Sequence, residues 1–181
     1  MPAPTDLAPG TWAIDPAHSS VGFSVKHLMI SKVRGSFASF SGTVVVPEDR
    51  FASTVSVTID PTSVSTGDSN RDAHLKNGDF FDAESFPEWK FTSTAIKAVG
   101  SDYVLVGDLT LRGVTKPIEL AVEFEGVNKD LYGNTKAGFT AEGDVNRKEF
   151  GMEYNAALET GGVVIGDKVK LSLDIQLAKT A

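Results

Sequence analysis

No cysteine occurs in the 181 residues. That absence removes disulfides, thiolate nucleophiles, iron–sulfur clusters and thiolate-bound zinc together, and leaves no sequence clue to the redox compartment. Histidine is nearly as scarce. His18, His27 and His74 are the three in the chain, and no pair has the H-x-H or H-E-x-x-H spacing that presets two nitrogens on one metal. Without a G-x-S-x-G elbow, a serine nucleophile lacks its strained turn. The segment from Gly161 to Lys168 imitates a phosphate loop only until Asp167 stands where lysine is required. Neither metal nor cofactor is expected. Blocks of basic residues are missing as well: 17 Lys and Arg face 24 Asp and Glu, a net charge of −7. The surface as a whole therefore repels phosphate backbones and anionic headgroups, and nucleic acid is not an expected partner. No apolar run approaches the roughly 18–20 residues of a membrane-spanning helix. Met1 to Gly10 has neither the basic region nor the apolar core of a signal peptide, so the expectation is a cytoplasmic protein.

What the chain does have is an apolar share of 41%, with 11 Phe, enough at this length to bury roughly 70% of the unfolded surface in one domain. We assign an N-terminal arm to residues 1–10 and a single domain to 11–181. The dominant pattern is alternation with period two. From Lys168 to Leu177 the apolar set is Val169, Leu171, Leu173, Ile175 and Leu177; from Ile118 to Phe124 it is Ile118, Leu120, Val122 and Phe124. Further strands are expected at Thr11–Asp15, Ser20–Val25, Phe37–Val46, Thr54–Ile59, Lys90–Lys97, Tyr103–Leu111 and Ala137–Val145. About nine antiparallel strands without long helices form a meander, and a meander this large removes its open edges by closing into a barrel. One short helix is expected over Ser69–Asn77, where Ser69 and Asp72 form a capping pattern and Gly78 suits a left-handed stop. Lys26–Lys32 reads as a single helical turn. Asn146–Asp167 is a long, Gly-rich segment of the kind that is more often functional or partly structured than idle.

Barrel topology leaves open whether the interior is filled or hollow. The inward faces of two strands shrink at Gly107 and Gly143; these glycines mark either bulges of a curved sheet or internal space for a long apolar guest. Phe80, Phe81, Phe86, Trp89 and Phe91 form an aromatic concentration that serves as an end plug, as the rim of an entrance, or as both. Asp79, Asp82 and Glu84 read as a solvated acidic loop or an acid–base pair. Arg71 and Arg147 present forks suited to a lipid's polar end, or else to an internal ion pair with Asp72 or Glu149.

Several of these stretches resemble the YceI family, in its order and at its spacing. They are Trp12-x-Ile14-Asp15-x-x-His18-Ser19 with Val21 and Phe23, Val25 to Leu28, and Val33-x-Gly35-x-Phe37. Thr66-Gly67, Arg71-Asp72-x-His74-Leu75, Asp79 to Asp82, Phe86-Pro87 and Phe91 follow. Gly107 to Thr110, Gly113 to Thr115 and Asn146-Arg147-x-x-Phe150-Gly151 complete the set. The resemblance spans about Gly10 to Leu177. It implies a lipocalin-like extended antiparallel barrel, commonly dimeric, whose elongated apolar interior holds a polyisoprenoid chain. A non-enzymatic carrier is therefore the main expectation, and an enzyme acting on a lipid through histidine and carboxylate groups, with or without a metal, is the alternative. Ligand contacts are expected at Phe23, His27, Phe37, Arg71, His74, Phe80, Phe81, Phe91, Leu109, Phe124, Phe139, Arg147 and Phe150.

Overall fold

The computed structural model describes residues 6–158 and 163–181; part of the N-terminal arm and of the phosphate-loop look-alike lie outside them. Eleven strands follow one another as β1 (Gly10–Ile14), β2 (Ser20–His27), β3 (Ser31–Phe37), β4 (Phe40–Val46), β5 (Thr54–Ile59), β6 (Val64–Ser65), β7 (Trp89–Val99), β8 (Asp102–Leu111), β9 (Val114–Lys129), β10 (Thr135–Asn146) and β11 (Ile165–Lys179). One helix, α1 (Ser69–Lys76), lies between β6 and β7. Eight strands close antiparallel in the order β1, β4, β5, β7, β8, β9, β10, β11 and back to β1. The other three extend the wall, because β11 gives its last residues to β1 and its earlier ones to β2, beside which β3 and β6 follow. The barrel expected from the alternation is there.

Two strands exceed the expected nine, β3, which starts within the stretch expected as a helical turn, and the two-residue β6; the wall breaks three times, after β1, β3 and β5. The same tripeptide starts two of the breaks. Ile14-Asp15-Pro16 and Ile59-Asp60-Pro61 each open a 3-10 turn, in which the Asp carboxylate accepts from the N–H two residues on and proline fixes φ. Between them Phe37 closes β3 and Phe40 opens β4, so the strand expected over Phe37–Val46 begins three residues later than expected. The helical turn expected over Lys26–Lys32 is instead a β-hairpin whose tip, Leu28 to Ile30, closes with Ile30 N–H donating to His27 O at 3.2 Å. In α1 the cap is Asp68 rather than Ser69, accepting from Asn70 and Arg71 N–H. Gly78 does not take the left-handed conformation; Asn77 ends the helix in extended backbone.

Asp15 also ties the break to the barrel. Its Oδ2 lies 2.9 Å from Lys136 Nζ and 2.9 Å from His18 Nδ1, and these bonds, that from Lys136 foremost, hold its carboxyl down at about 2. A carboxyl lowered below its unfolded value of about 3.9 contributes stability that is complete above that value and lost as pH falls through the folded one. Asp15→Asn is therefore expected to be less stable than the parent at neutral pH and to converge on it near pH 2, as read by urea unfolding.

Two apolar clusters fill the ends. One gathers Val21, Phe37, Phe81, Trp89, Phe91, Leu111 and Phe150; the other surrounds Trp12 with Leu7, Val44, Val46, Ala137 and Leu177. In the first, the segment after α1 packs through Phe81 onto Trp89, with ring centroids 4.6 Å apart, and Phe37 meets Trp89 at 5.0 Å. Gly107 and Gly143 do not face open space. A Cβ at Gly107 would fall on the Phe91 ring and 2.7 Å from Thr92 O, beside a register shift in β7; one at Gly143 would lie 2.7 Å from Leu120 Cδ2. Gly107→Ala is expected to destabilise the barrel by about 1–3 kcal/mol in chemical denaturation.

Candidate ligand-binding cavity

Between the two clusters the barrel keeps a cavity of about 250 Å³. Strand parity dictates its lining. Leu105, Leu109 and Leu111 come from β8, Ile118, Leu120 and Val122 from β9, Leu171, Leu173, Ile175 and Leu177 from β11, and Val55, Val57 and Ile59 from β5. Along β7 the lining switches from Trp89 and Phe91 to Ile96, an odd-to-even change produced by the register shift between Ser93 and Ala95. A matching shift at Gly138 and Phe139 separates Phe124 from Val127 on β9. The cavity runs from Phe23, Phe37 and Trp89 at one end to Leu7, Arg50, Phe51 and Tyr103 at the other. There Arg50 is turned to the backbone, its Nε donating to Leu7 O at 2.9 Å and Nη1 to Glu48 O at 2.6 Å.

Among the described residues the lining contains no histidine, aspartate or glutamate. Two of its buried polar atoms have no hydrogen-bond partner among the described residues, Trp89 Nε1 and Ser53 Oγ. A larger concavity, about 810 Å³, lies outside the wall where the β9–β10 ladder stops at Ala121 and Glu142. Pro117, which has no N–H to give a ladder, stands in the part of β9 that pairs with β8 alone. This outer groove mixes lysines with carboxylates, and Lys168 Nζ lies 3.4 Å from Asp144. Its open, charge-balanced walls suit water, so the apolar lumen is the candidate site.

The family described as the YceI-like domain matches residues 12–177. The chain belongs to the YceI-like family. A UPF0312 protein of Staphylococcus aureus (strain USA300) is 39% identical over 169 residues, covering 92% of this chain and 96% of that protein. Among solved structures, the Campylobacter jejuni YCEI protein shares 32% identity with a TM-score of 0.72, covering 92% of this chain and 96% of that one. A polyisoprenoid-binding domain from Saccharophagus degradans has the same fold at 16% identity and a TM-score of 0.70, covering 93% and 98%.

Within this YceI-like barrel, the residues singled out from the sequence divide into three groups. Phe23, Phe37, Phe91, Leu109 and Phe139 line the lumen. Phe124 stacks on Phe139 at 5.1 Å, and Phe81 packs behind Trp89. The others lie outside the lining. His74 Nε2 is 2.8 Å from Asp79 Oδ2 and its ring packs edge-on to Phe80 and Tyr154, each at 5.0 Å. Arg71 donates to Thr66 Oγ1 and O, while Asp72 accepts from Thr66 N–H and Oγ1, so the two meet on a threonine rather than on each other. His27 ends β2 beside the hairpin tip, and Phe150 is buried under the outer groove.

Arg147 is 4% exposed and its fork is committed to backbone carbonyls. Nε donates to Gly166 O at 2.8 Å, Nη1 to Met152 O at 2.7 Å and Tyr154 O at 2.8 Å, and Nη2 to Ile165 O at 3.4 Å. Its counter-charge is Asp167, 3.8 Å away, not Glu149. Burial pushes its pKa down and Asp167 pulls it back. Leu7, Arg50, Phe51 and Ser53 were missed as lining residues. They sit in an arm and a 3-10 turn, where alternation gives no signal.

Proposed function

We propose that the barrel binds the apolar tail of a lipid, a polyisoprenoid above all, and carries or sequesters it unchanged. The observation that carries this reading is a lumen inside the closed barrel whose lining, apart from Gly22 and from Arg50 and Ser53 at one end, is aliphatic and aromatic. The ligand class named for the Saccharophagus degradans domain supports it, and membership of the YceI-like family is consistent with binding rather than turnover. The lining offers no acid–base pair for catalysis. Each isoprene unit brings five carbons, and their burial is worth about 3–4 kcal/mol before ordering costs. A void of about 150 Å³ holds one benzene, so by that scale the present cavity of about 250 Å³ takes roughly ten carbons, or two units. Longer guests require Phe23, Phe37 or Phe139 to swing aside, or leave the barrel beyond Phe51. An oxygen on the guest gains most near Trp89 Nε1 or Ser53 Oγ, which lack partners among the described residues.

Tryptophan fluorescence titrated with geraniol, farnesol and geranylgeraniol tests the reading. Affinity is expected to rise at least tenfold from geraniol to farnesol, with the alcohol recovered chemically unchanged. The signal should vanish in Trp89→Phe, because Trp12 is bonded to Ala8 O outside the lumen. Absence of saturable binding, or conversion of the alcohol, would overturn it. A homodimer belongs to the same proposal and is read by sedimentation velocity.

A further inference from the structure

Three unfavourable features meet in the β2–β3 hairpin. The first is apolar exposure: Leu28, Met29 and Ile30 at its tip are 38%, 59% and 85% exposed. Backbone strain is the second. Leu28 has φ +54° and Met29 φ +62°, two consecutive left-handed residues in the three-residue tip between His27 and Ser31, a conformation that Asn and Gly take readily and bulky side chains resist. Like-charge repulsion is the third, since Lys26 stands directly opposite Lys32 and Arg34 lies two pairs further along, opposite Ser24. All three cations are exposed. Among the described residues no carboxylate lies within ion-pair distance of them, and the nearby Asp167 is shared by Arg147 and Lys148.

The charge is also unevenly distributed along the chain. Residues 16–47 hold Lys26, Lys32 and Arg34 and no Asp or Glu, which leaves 14 basic against 24 acidic residues elsewhere, −10. One hairpin is cationic on a molecule otherwise strongly anionic.

We propose that this hairpin docks the protein on a lipid bilayer bearing anionic headgroups. Each of the three features has its counterpart there. The apolar tip enters the interface, phosphates separate the facing lysines, and the strained turn holds Leu28 and Met29 outward. The acidic remainder is repelled, so the molecule settles tip-down. Phe23 on β2 and Phe37 on β3 line the lumen, so docking sets that end of the barrel against the membrane. The inference does not depend on what the lumen holds. The β9–β10 hairpin also exposes Leu131 and Tyr132, but Gly133 takes its positive φ and Asp130 sits within it, so it lacks the strain and the charge.

Flotation with phosphatidylcholine vesicles, with and without phosphatidylglycerol, tests the proposal. The intact chain is expected to float with the anionic vesicles only, and less as salt is raised. Lys26→Gln with Lys32→Gln should weaken binding about thirtyfold. Leu28→Asn with Met29→Gly should abolish most of it while raising Tm by a few degrees, because the new pair suits the turn. Ile30→Ser should weaken it without changing Tm, and Leu131→Ser should change nothing. The proposal is overturned if the intact chain ignores anionic vesicles or if the tip variants float equally well. It is also overturned if those variants turn a dimer into a monomer while vesicle binding persists, which would make the tip an interface between copies. Prenyl-alcohol binding, measured on the same variants in solution, is expected to be unchanged and reports on the lumen separately.

Discussion

Arg147→Ala is expected to unfold about 6–20 °C below the parent, a large effect for a single substitution. The substitution leaves the carbonyls of Gly166, Met152, Tyr154 and Ile165 without the donor that joins them. Stranding buried polar groups of this kind costs about 3–5 kcal/mol, or roughly 2–4 °C per kcal/mol for a chain of this size. Arg147→Lys keeps the charge but offers one point in place of a fork, so it should recover only part of the loss. The same pair of variants decides what the arginine is for. Because its donors are spent on carbonyls, prenyl-alcohol affinity of the folded Lys variant should match the parent. A Tm within about 2 °C of the parent for Arg147→Ala, or selective loss of ligand from a stable Lys variant, would contradict this.

The second large effect is on binding. Ala141 is buried, lines the lumen, and faces Val122 on β9 and Leu173 on β11, two other lining residues. In Ala141→Phe a ring occupies space otherwise open to about one isoprene unit. Affinity for farnesol is expected to fall about a hundredfold, the equivalent of losing roughly 3 kcal/mol of burial. Stability should hold or rise, as it does when a void is filled. A barrel packed solid at that level would respond the other way, losing about 1–3 kcal/mol to overpacking. Thermal unfolding and fluorescence titration of one variant therefore separate a hollow barrel from a filled one.

Alternation carried most of the fold because the strands are long and wet on one side. The inward sets on β9 and β11, Ile118 to Val122 and Leu171 to Leu177, are lining residues in the structure. Alternation fails wherever the pleat is interrupted. The shift in β7 moves Ile96 into a lumen that Trp89 and Phe91 enter from the opposite parity. Ile-Asp-Pro at positions 14–16 and 59–61 was the available signal for two of the strand breaks. Nothing comparable marked the tip at Leu28 and Met29, where apolar residues take left-handed backbone that Gly and Asn usually fill. Polar candidates were the least legible. Whether an arginine meets a ligand or a carbonyl depends on contacts far along the chain, as Arg147 and Gly166, 19 residues apart, illustrate.

Native mass spectrometry of the purified chain incubated with geranylgeraniol tests the hollow, oily barrel most directly. The account predicts one bound prenyl chain per barrel, retained under gentle activation and absent from Ala141→Phe. A spectrum showing only the ligand-free mass, at every concentration and for shorter prenyl alcohols as well, would contradict it.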